Sequence, residues 1–297
     1  MNLVLCNLQV SEGRRSEVLD AILAAAREVD GVRPLWSTAD PDHHRSDVAF
    51  AAQADVVGEA AFRAAAVAVR EIDLNQHAGE HPRIGALDVL AFSPLEGTLA
   101  DCVEIAYAAG ERLSAELEIP VYFFGAAARR PERKSLFAVR RGGFEGLREA
   151  LAQRPGREPD AGPQNALHPT AGATAVGAHP LPVAFEVKLE SRDVELARRI
   201  ARTVRERDGG LPEVQALALE VDHAGPTAVT VRLGDFERTG LLRVYEEVER
   251  LAAEVGVEVA CTEIVGPLPR AALPDGLAER IRLFGFDAER QVIEELL

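Results

Sequence analysis

The sequence predicts an α/β (α+β) protein built from two subdomains, each a mixed or antiparallel sheet with helices on one face. Three observations lead there. Strand-like and helix-like segments alternate along the 297 residues; a loop-rich stretch divides them; and the part beyond it has the order β-α-β-β-α-β.

Leu3 to Val10 is the first expected strand, a run rich in β-branched and aliphatic residues. From Glu12 to Val29, the residues Val18, Leu19, Ile22, Leu23 and Ala26 recur at helical spacing. Strands follow at Val32 to Ser37 and Asp47 to Ala52, then an Ala-rich helix over Val56 to Ile72. A Gly/Pro turn at 79–85 precedes the apolar strand Leu87 to Phe92, the helix Leu99 to Leu117 and the strand Val121 to Phe124. Between Arg154 and Pro182 lie six prolines and four glycines with no sustained period, which reads as a linker or a ligand-contacting loop. Beyond it come the strand Val183 to Leu189, the helix Val194 to Glu206 and the strand Val214 to Glu220. The turn Asp222-His223-Ala224-Gly225 joins these to the strand Thr227 to Leu233, the helix 240–254 and the strand Val257 to Cys261. That order is the split ferredoxin-like motif. The first half reads the same way with an added helix and strand, which gives two ferredoxin-like-derived subdomains, 1–178 and 179–297, around a junction at 154–182. Ala288 to Leu297 is expected to form a terminal helix.

Composition narrows the function classes. A formal charge of −15 leaves no concentrated basic surface for nucleic acid. A small anionic ligand needs only a few local arginines, and all but Lys134 and Lys188 of the basic residues are Arg. Cys6, Cys102 and Cys261 are too scattered for a disulfide framework or a metal cluster. No apolar run approaches the roughly 20 residues of a membrane span, and the N-terminus lacks the blocks of a signal peptide. A cytoplasmic protein with no membrane or nucleic-acid partner is expected.

The run Asn75-Gln76-His77-Ala78-Gly79-Glu80-His81-Pro82-Arg83-Ile84-Gly85 concentrates polar and conformationally special residues between two apolar elements. Pro82 disfavours the helical basin for His81, and Gly79 and Gly85 permit backbone geometries that a side chain makes costly. Such a turn presents an imidazole and a guanidinium to a cleft, and histidine both takes and gives a proton near neutral pH. The alternative is that His77 and His81 only cap the preceding helix. Metal binding is disfavoured, because Gly79 and Pro82 break the helical i, i+4 spacing of the two histidines.

Gly79-Glu80-His81-Pro82-Arg83-Ile84-Gly85-Ala86-Leu87-Asp88-Val89 resembles the signature of the formiminotransferase domain. Ser11-Glu12-Gly13-Arg14, Pro120-Val121-Tyr122-Phe123-Phe124-Gly125, Pro159-Asp160-Ala161-Gly162-Pro163, Gly172 to Ala178, Ile264 to Pro269 and Gly285-Phe286-Asp287 resemble further stretches of that family in the same order. The resemblance implies transfer of a formimino group from N-formimidoyl-L-glutamate to tetrahydrofolate as co-substrate, in histidine degradation, by a homodimer. It implies His81 as the catalytic acid/base. Arg45 and Arg83 are then the candidates for substrate carboxylates. Gly162, Pro163, Asn165, His168, Gly172 and Thr174 are the candidates for folate contact. Arg129, Arg130, Arg133 and Lys134 form a second basic group, read either as a further anion contact or as a solvated loop. The sequence departs from the family at Thr38, His44, Ala126, Glu186 and Lys188, where small amides or carboxylates are usual. A divergent folate-binding protein with changed or lost transfer activity is the alternative those departures raise.

Overall fold

The structure, a computed structural model, describes residues 2–79, 81–153, 156–220 and 226–297. The turn expected at Asp222-His223-Ala224-Gly225 and the motif residue Glu80 lie outside the described residues. The chain divides into two compact units, Met1–His179 and Pro180–Leu297. No helix among the described residues is long and apolar enough to cross a membrane.

The first unit opens with β1 (Leu3–Val10), α1 (Ser16–Arg27), β2 (Arg33–Asp40), β3 (Arg45–Gln53), α2 (Val57–Glu71) and β4 (Leu87–Pro94). These four strands pair antiparallel in the order β2-β3-β1-β4, the arrangement the β-α-β-β-α-β reading requires. The added helix α3 (Leu99–Leu117) and strand β5 (Val121–Gly125) follow. Thr98 and Asp101 close a reciprocal capping box at the start of α3, which satisfies donors that the first helical turn leaves free.

Residues Val4, Cys6, Leu8 and Val10 alternate along β1 toward the face covered by α1, α2 and α3, and the Ala-rich side of α2 lets that helix approach closely. Cys6 and Cys102 belong to this core; burial pushes the Cys102 thiol up to about 11, so it stays protonated at neutral pH.

Two features depart from the sequence reading. The stretch Arg154 to Pro182 is not loop throughout: Thr174–Ala178 forms a buried strand, β6, inserted parallel between β4 and β5. Its residues are small, and both of its faces are covered, so no hydrophobic alternation announces it. The second departure lies on the other sheet face. The short helix α4 (Leu136–Val139) and α5 (Gly143–Gln153) follow a 3-10 turn at Pro131–Lys134. Val139, Phe144 and Leu147 pack there with Tyr122, Phe124, Val89 and Ala91, adding cover opposite α1–α3.

The second unit repeats the same strand order as a four-stranded antiparallel sheet. Its strands are β7 (Val183–Leu189), β8 (Val214–Glu220), β9 (Thr227–Leu233) and β10 (Val259–Val265), arranged β10-β7-β9-β8. Helices α6 (Val194–Val204) and α7 (Leu241–Ala253) supply Leu196, Ile200, Val244, Tyr245 and Val248 to its core. The terminal helix expected over Ala288 to Leu297 is two single turns, Ala288–Gln291 and Ile293–Leu296. Val292 breaks it, because its extended backbone bridges to Leu268 and its side chain is buried.

Candidate active site

The site forms in the first unit at the sheet end where β1 finishes and β3 and β4 begin. The end of β1 supplies Val10 and Ser11, the β2–β3 turn His44, the first residue of β3 Arg45, the loop before β4 His77, His81 and Arg83, and β4 itself Asp88. These eight residues line one concave pocket.

Gly85 anchors the loop to the sheet. Its φ is not positive; a methyl group on it would lie 1.9 Å from the Ala173 carbonyl oxygen. Gly79 is likewise a place of close approach, to the His43 carbonyl and the His44 side chain. Space therefore selects both glycines, rather than the backbone freedom the sequence suggested. Across from Gly85 sits Gly172, at φ +73. Backbone hydrogen bonds from Ala86 to Ala171 (2.8 Å) and from Ala173 to Ile84 (2.9 Å) lock the two segments together. Gly85→Ala is expected to cost about 1–3 kcal/mol, toward the upper end because the obstacle is backbone. Urea unfolding measures it, and an unchanged midpoint would remove this account of the glycine.

Asp88 fastens the turn from within. One carboxylate oxygen accepts the Ile84 backbone N–H at 2.7 Å, and the other receives Arg140 at 2.5 Å. Arg140, just past α4, also donates to the Gln9 side chain at 2.8 Å. Asp88 and Gln9 are buried, and the Ser11 hydroxyl completes the seam by donating to the Gly85 carbonyl at 2.7 Å.

Arg83 is fully engaged. Both terminal nitrogens donate to Glu145, at 3.0 and 2.8 Å, and Nε donates to His77 Nδ1 at 3.0 Å. His77 Nε2 then carries the ring proton and donates to the His44 carbonyl at 2.9 Å. This chain holds His44 at φ +51, a left-handed conformation that side chains seldom adopt. The His44 ring lies 4.4 Å from that of His77, and its buried Nδ1 has no hydrogen-bond partner among the described residues.

His81 is half-buried, and Arg45 donates from Nη1 to its Nε2. The imidazole is therefore neutral with its proton on Nδ1, and the Pro82 backbone, whose one polar group is a carbonyl, supports the ring. Burial first, then the guanidinium groups of Arg45 and Arg140, push its pKa down to about 3. Nearby, burial works against ionisation of Glu12, yet the backbone N–H groups of Arg14 and Arg15 and the Arg15 guanidinium hold its carboxyl below the usual range.

The structure thus brings His81, Arg45 and Arg83 to one pocket. It gives the other expected contacts different settings. Thr174 is buried and donates to the Leu87 carbonyl at 2.8 Å. His168 Nδ1 accepts the Ala171 N–H at 3.0 Å within its own turn. Gly162, at φ +87, has its α-carbon face against Ser114 and Ile119, while Pro163 and Asn165 are exposed. The second basic group is not a uniformly solvated loop. Arg133 is buried against Asp160 at 2.7 Å, and Arg129 pairs with Glu111 at 3.0 Å. Sequence reading assigned no role in the site to Gln9, Asp88, Arg140 or Glu145. Only Asp88 carried a signal, a carboxylate at the head of an otherwise apolar strand.

Comparison with known proteins gives these residues a context. Residues 3–179 match the formiminotransferase domain, N-terminal subdomain, and residues 184–290 match the formiminotransferase domain. The chain belongs to the formiminotransferase family. It is 36% identical to glutamate formimidoyltransferase of Streptococcus pyogenes serotype M1, over 99% of this chain and 98% of that protein. To glutamate formimidoyltransferase of Thermoplasma acidophilum it is 37% identical, over 99% of this chain and 97% of that one. Formimidoyltransferase-cyclodeaminase of Sus scrofa is 40% identical over 98% of this chain, which spans 55% of that longer protein. Every pocket residue named above falls within the part matched to the formiminotransferase N-terminal subdomain.

Proposed function

We propose that this protein is a folate-dependent glutamate formimidoyltransferase. It moves the formimino group of N-formimidoyl-L-glutamate to tetrahydrofolate, its co-substrate, and serves histidine degradation as a cytoplasmic homodimer. What carries the reading is a neutral imidazole, His81, set among guanidinium groups in a concave pocket, in a chain that matches two glutamate formimidoyltransferases end to end.

The chemistry asks for such a group. N5 of tetrahydrofolate attacks the amidine carbon, a tetrahedral intermediate forms, and glutamate leaves through its nitrogen. One proton comes off the attacking amine and one reaches the departing amine, so a single residue that alternates between base and acid serves both steps. His81 is that residue in this reading, and holding both substrates in one complex supplies much of the remaining rate. The donor and the folate both bear carboxylates, and Arg45 and Arg83 are their proposed partners through paired hydrogen bonds, Arg83 by exchanging its bonds to Glu145 for those to the ligand. Gly162, Pro163, Asn165, His168, Gly172 and Thr174 remain the proposed folate contacts, with Gly172 and Thr174 acting by shaping the wall that Gly85 and Leu87 share with them.

The decisive measurement is loss of formimidoylglutamate that depends on added tetrahydrofolate and yields glutamate in equal amount. Binding of tetrahydrofolate by calorimetry, with no turnover of any formimino donor, would replace this reading with that of a folate-binding protein.

A further inference from the structure

The formimino-transfer reading leaves one conflict inside the pocket. A general base must offer a lone pair, yet the Nε2 lone pair of His81 is occupied by an N–H of Arg45. With its pKa held at about 3 by burial, Arg45 and Arg140, the ring takes up no proton at neutral pH.

The three arginines near the pocket differ in how far their donors are committed. Arg83 directs both terminal nitrogens to Glu145 and its Nε to His77. Arg140 is pinned by Asp88 and Gln9. Arg45, besides its bond to His81, has an ion pair with Asp47 at 3.5 Å, and its buried Nε has no hydrogen-bond partner among the described residues. Of the three, Arg45 has the weakest hold on a carboxylate and the best reason to accept another. A neutral imidazole is also a poor rival to a carboxylate, which takes two parallel, charge-assisted bonds from one guanidinium.

We propose that Arg45 is a removable cap on His81, drawn off Nε2 by a carboxylate of the bound amino-acid donor, so that the base is uncovered only when the donor is in place. This deepens the formimino-transfer reading and rests on it. Two effects then act in one direction. Nε2 regains a free lone pair, and the carboxylate cancels the nearest positive charge; both favour the protonated imidazole and raise its pKa toward the working range. Asp88 stays tied to Arg140, Asp47 stays near Arg45, and His43 adds a cation only when protonated, so the incoming carboxylate is the change that matters. The arrangement also links recognition to rate. A donor analogue that lacks the carboxylate would leave His81 covered and lose kcat, not only affinity.

The test is nuclear magnetic resonance titration of histidine-labelled protein, with His81 assigned by His81→Gln. The probe is L-glutamate, which supplies the carboxylates without the reacting group. The free protein should show His81 neutral from about pH 5 to about pH 8, the range in which an ordinary histidine changes charge. Saturating L-glutamate should raise its titration by about one pH unit or more. Arg45→Gln should reproduce the raised value without ligand and show little further change when glutamate is added. An unmoved His81 signal with glutamate up to its solubility limit overturns the cap, as does an Arg45→Gln protein, folded by circular dichroism, whose His81 titrates as in the wild type. The wild-type comparison does not depend on the variant folding. Turnover of formimidoylglutamate with an unmoved His81 rejects the cap alone. Absence of turnover rejects the transfer reading, while the Arg45→Gln titration still reports on the Arg45–His81 contact.

Discussion

His81→Ala is expected to lower kcat for tetrahydrofolate-dependent formimino transfer by about 10²–10⁴-fold, the usual contribution of a positioned acid/base. KM should move far less, because the donor carboxylates are assigned to arginine rather than to the imidazole. The fold should survive. His81 lies in a loop, and the ring being removed is one that burial and two guanidinium groups already disfavour in its charged form. Steady-state kinetics together with a thermal melt separates the two outcomes. Turnover at the wild-type rate in a folded His81→Ala protein would end the proposed mechanism, whatever the protein binds.

The second large effect is on stability and comes from Asp88. Asp88→Ala takes one acceptor from the Ile84 N–H and the only carboxylate seen within bonding distance of Arg140 among the described residues. Breaking such a buried pair from one side costs about 3–5 kcal/mol, mostly because the remaining charge is left uncompensated. Asp88→Asn should cost less, since an amide oxygen can still accept from Ile84 while the charge is lost. Urea unfolding of the two variants should rank them in that order. A cost below about 1 kcal/mol for Asp88→Ala, the level of a surface pair, would mean that Arg140 finds another partner.

The two cases show which parts of the molecule its sequence discloses. His81, Arg83 and the turn around them could be read because they sit within a few residues of one another, in a pattern that Pro82 and two glycines make unusual. The four-strand frame of each unit was legible for a similar reason: Val18, Leu19, Ile22 and Ala26 repeat at helical spacing, and Val183 to Leu189 alternates in burial along its strand. The clamp behind the turn was not. Arg140 meets Asp88 across 52 residues and Gln9 across 131, and no local spacing records a contact of that range. Glu145 was hidden in the same way, its partner Arg83 lying 62 residues earlier. The glycines were half legible. Their positions marked a constraint, but only the approach of Ala173 to Gly85 shows that the constraint is crowding.

Strand β6 has a further consequence, for the order in which this chain can acquire its structure. It lies between β4 and β5, yet it is made last of the three, with Ala175 and Val176 pairing with Val89 and Leu90 some 86 residues upstream. Until residue 178 has left the ribosome, β4 and β5 have no common neighbour, and each presents an unpaired edge. Closure of so long a loop costs entropy before its contacts form, and parallel pairing of this range is slow. The first unit therefore completes its sheet only as the second begins to emerge, and a nascent chain stopped near residue 150 is the form of this protein most exposed to aggregation.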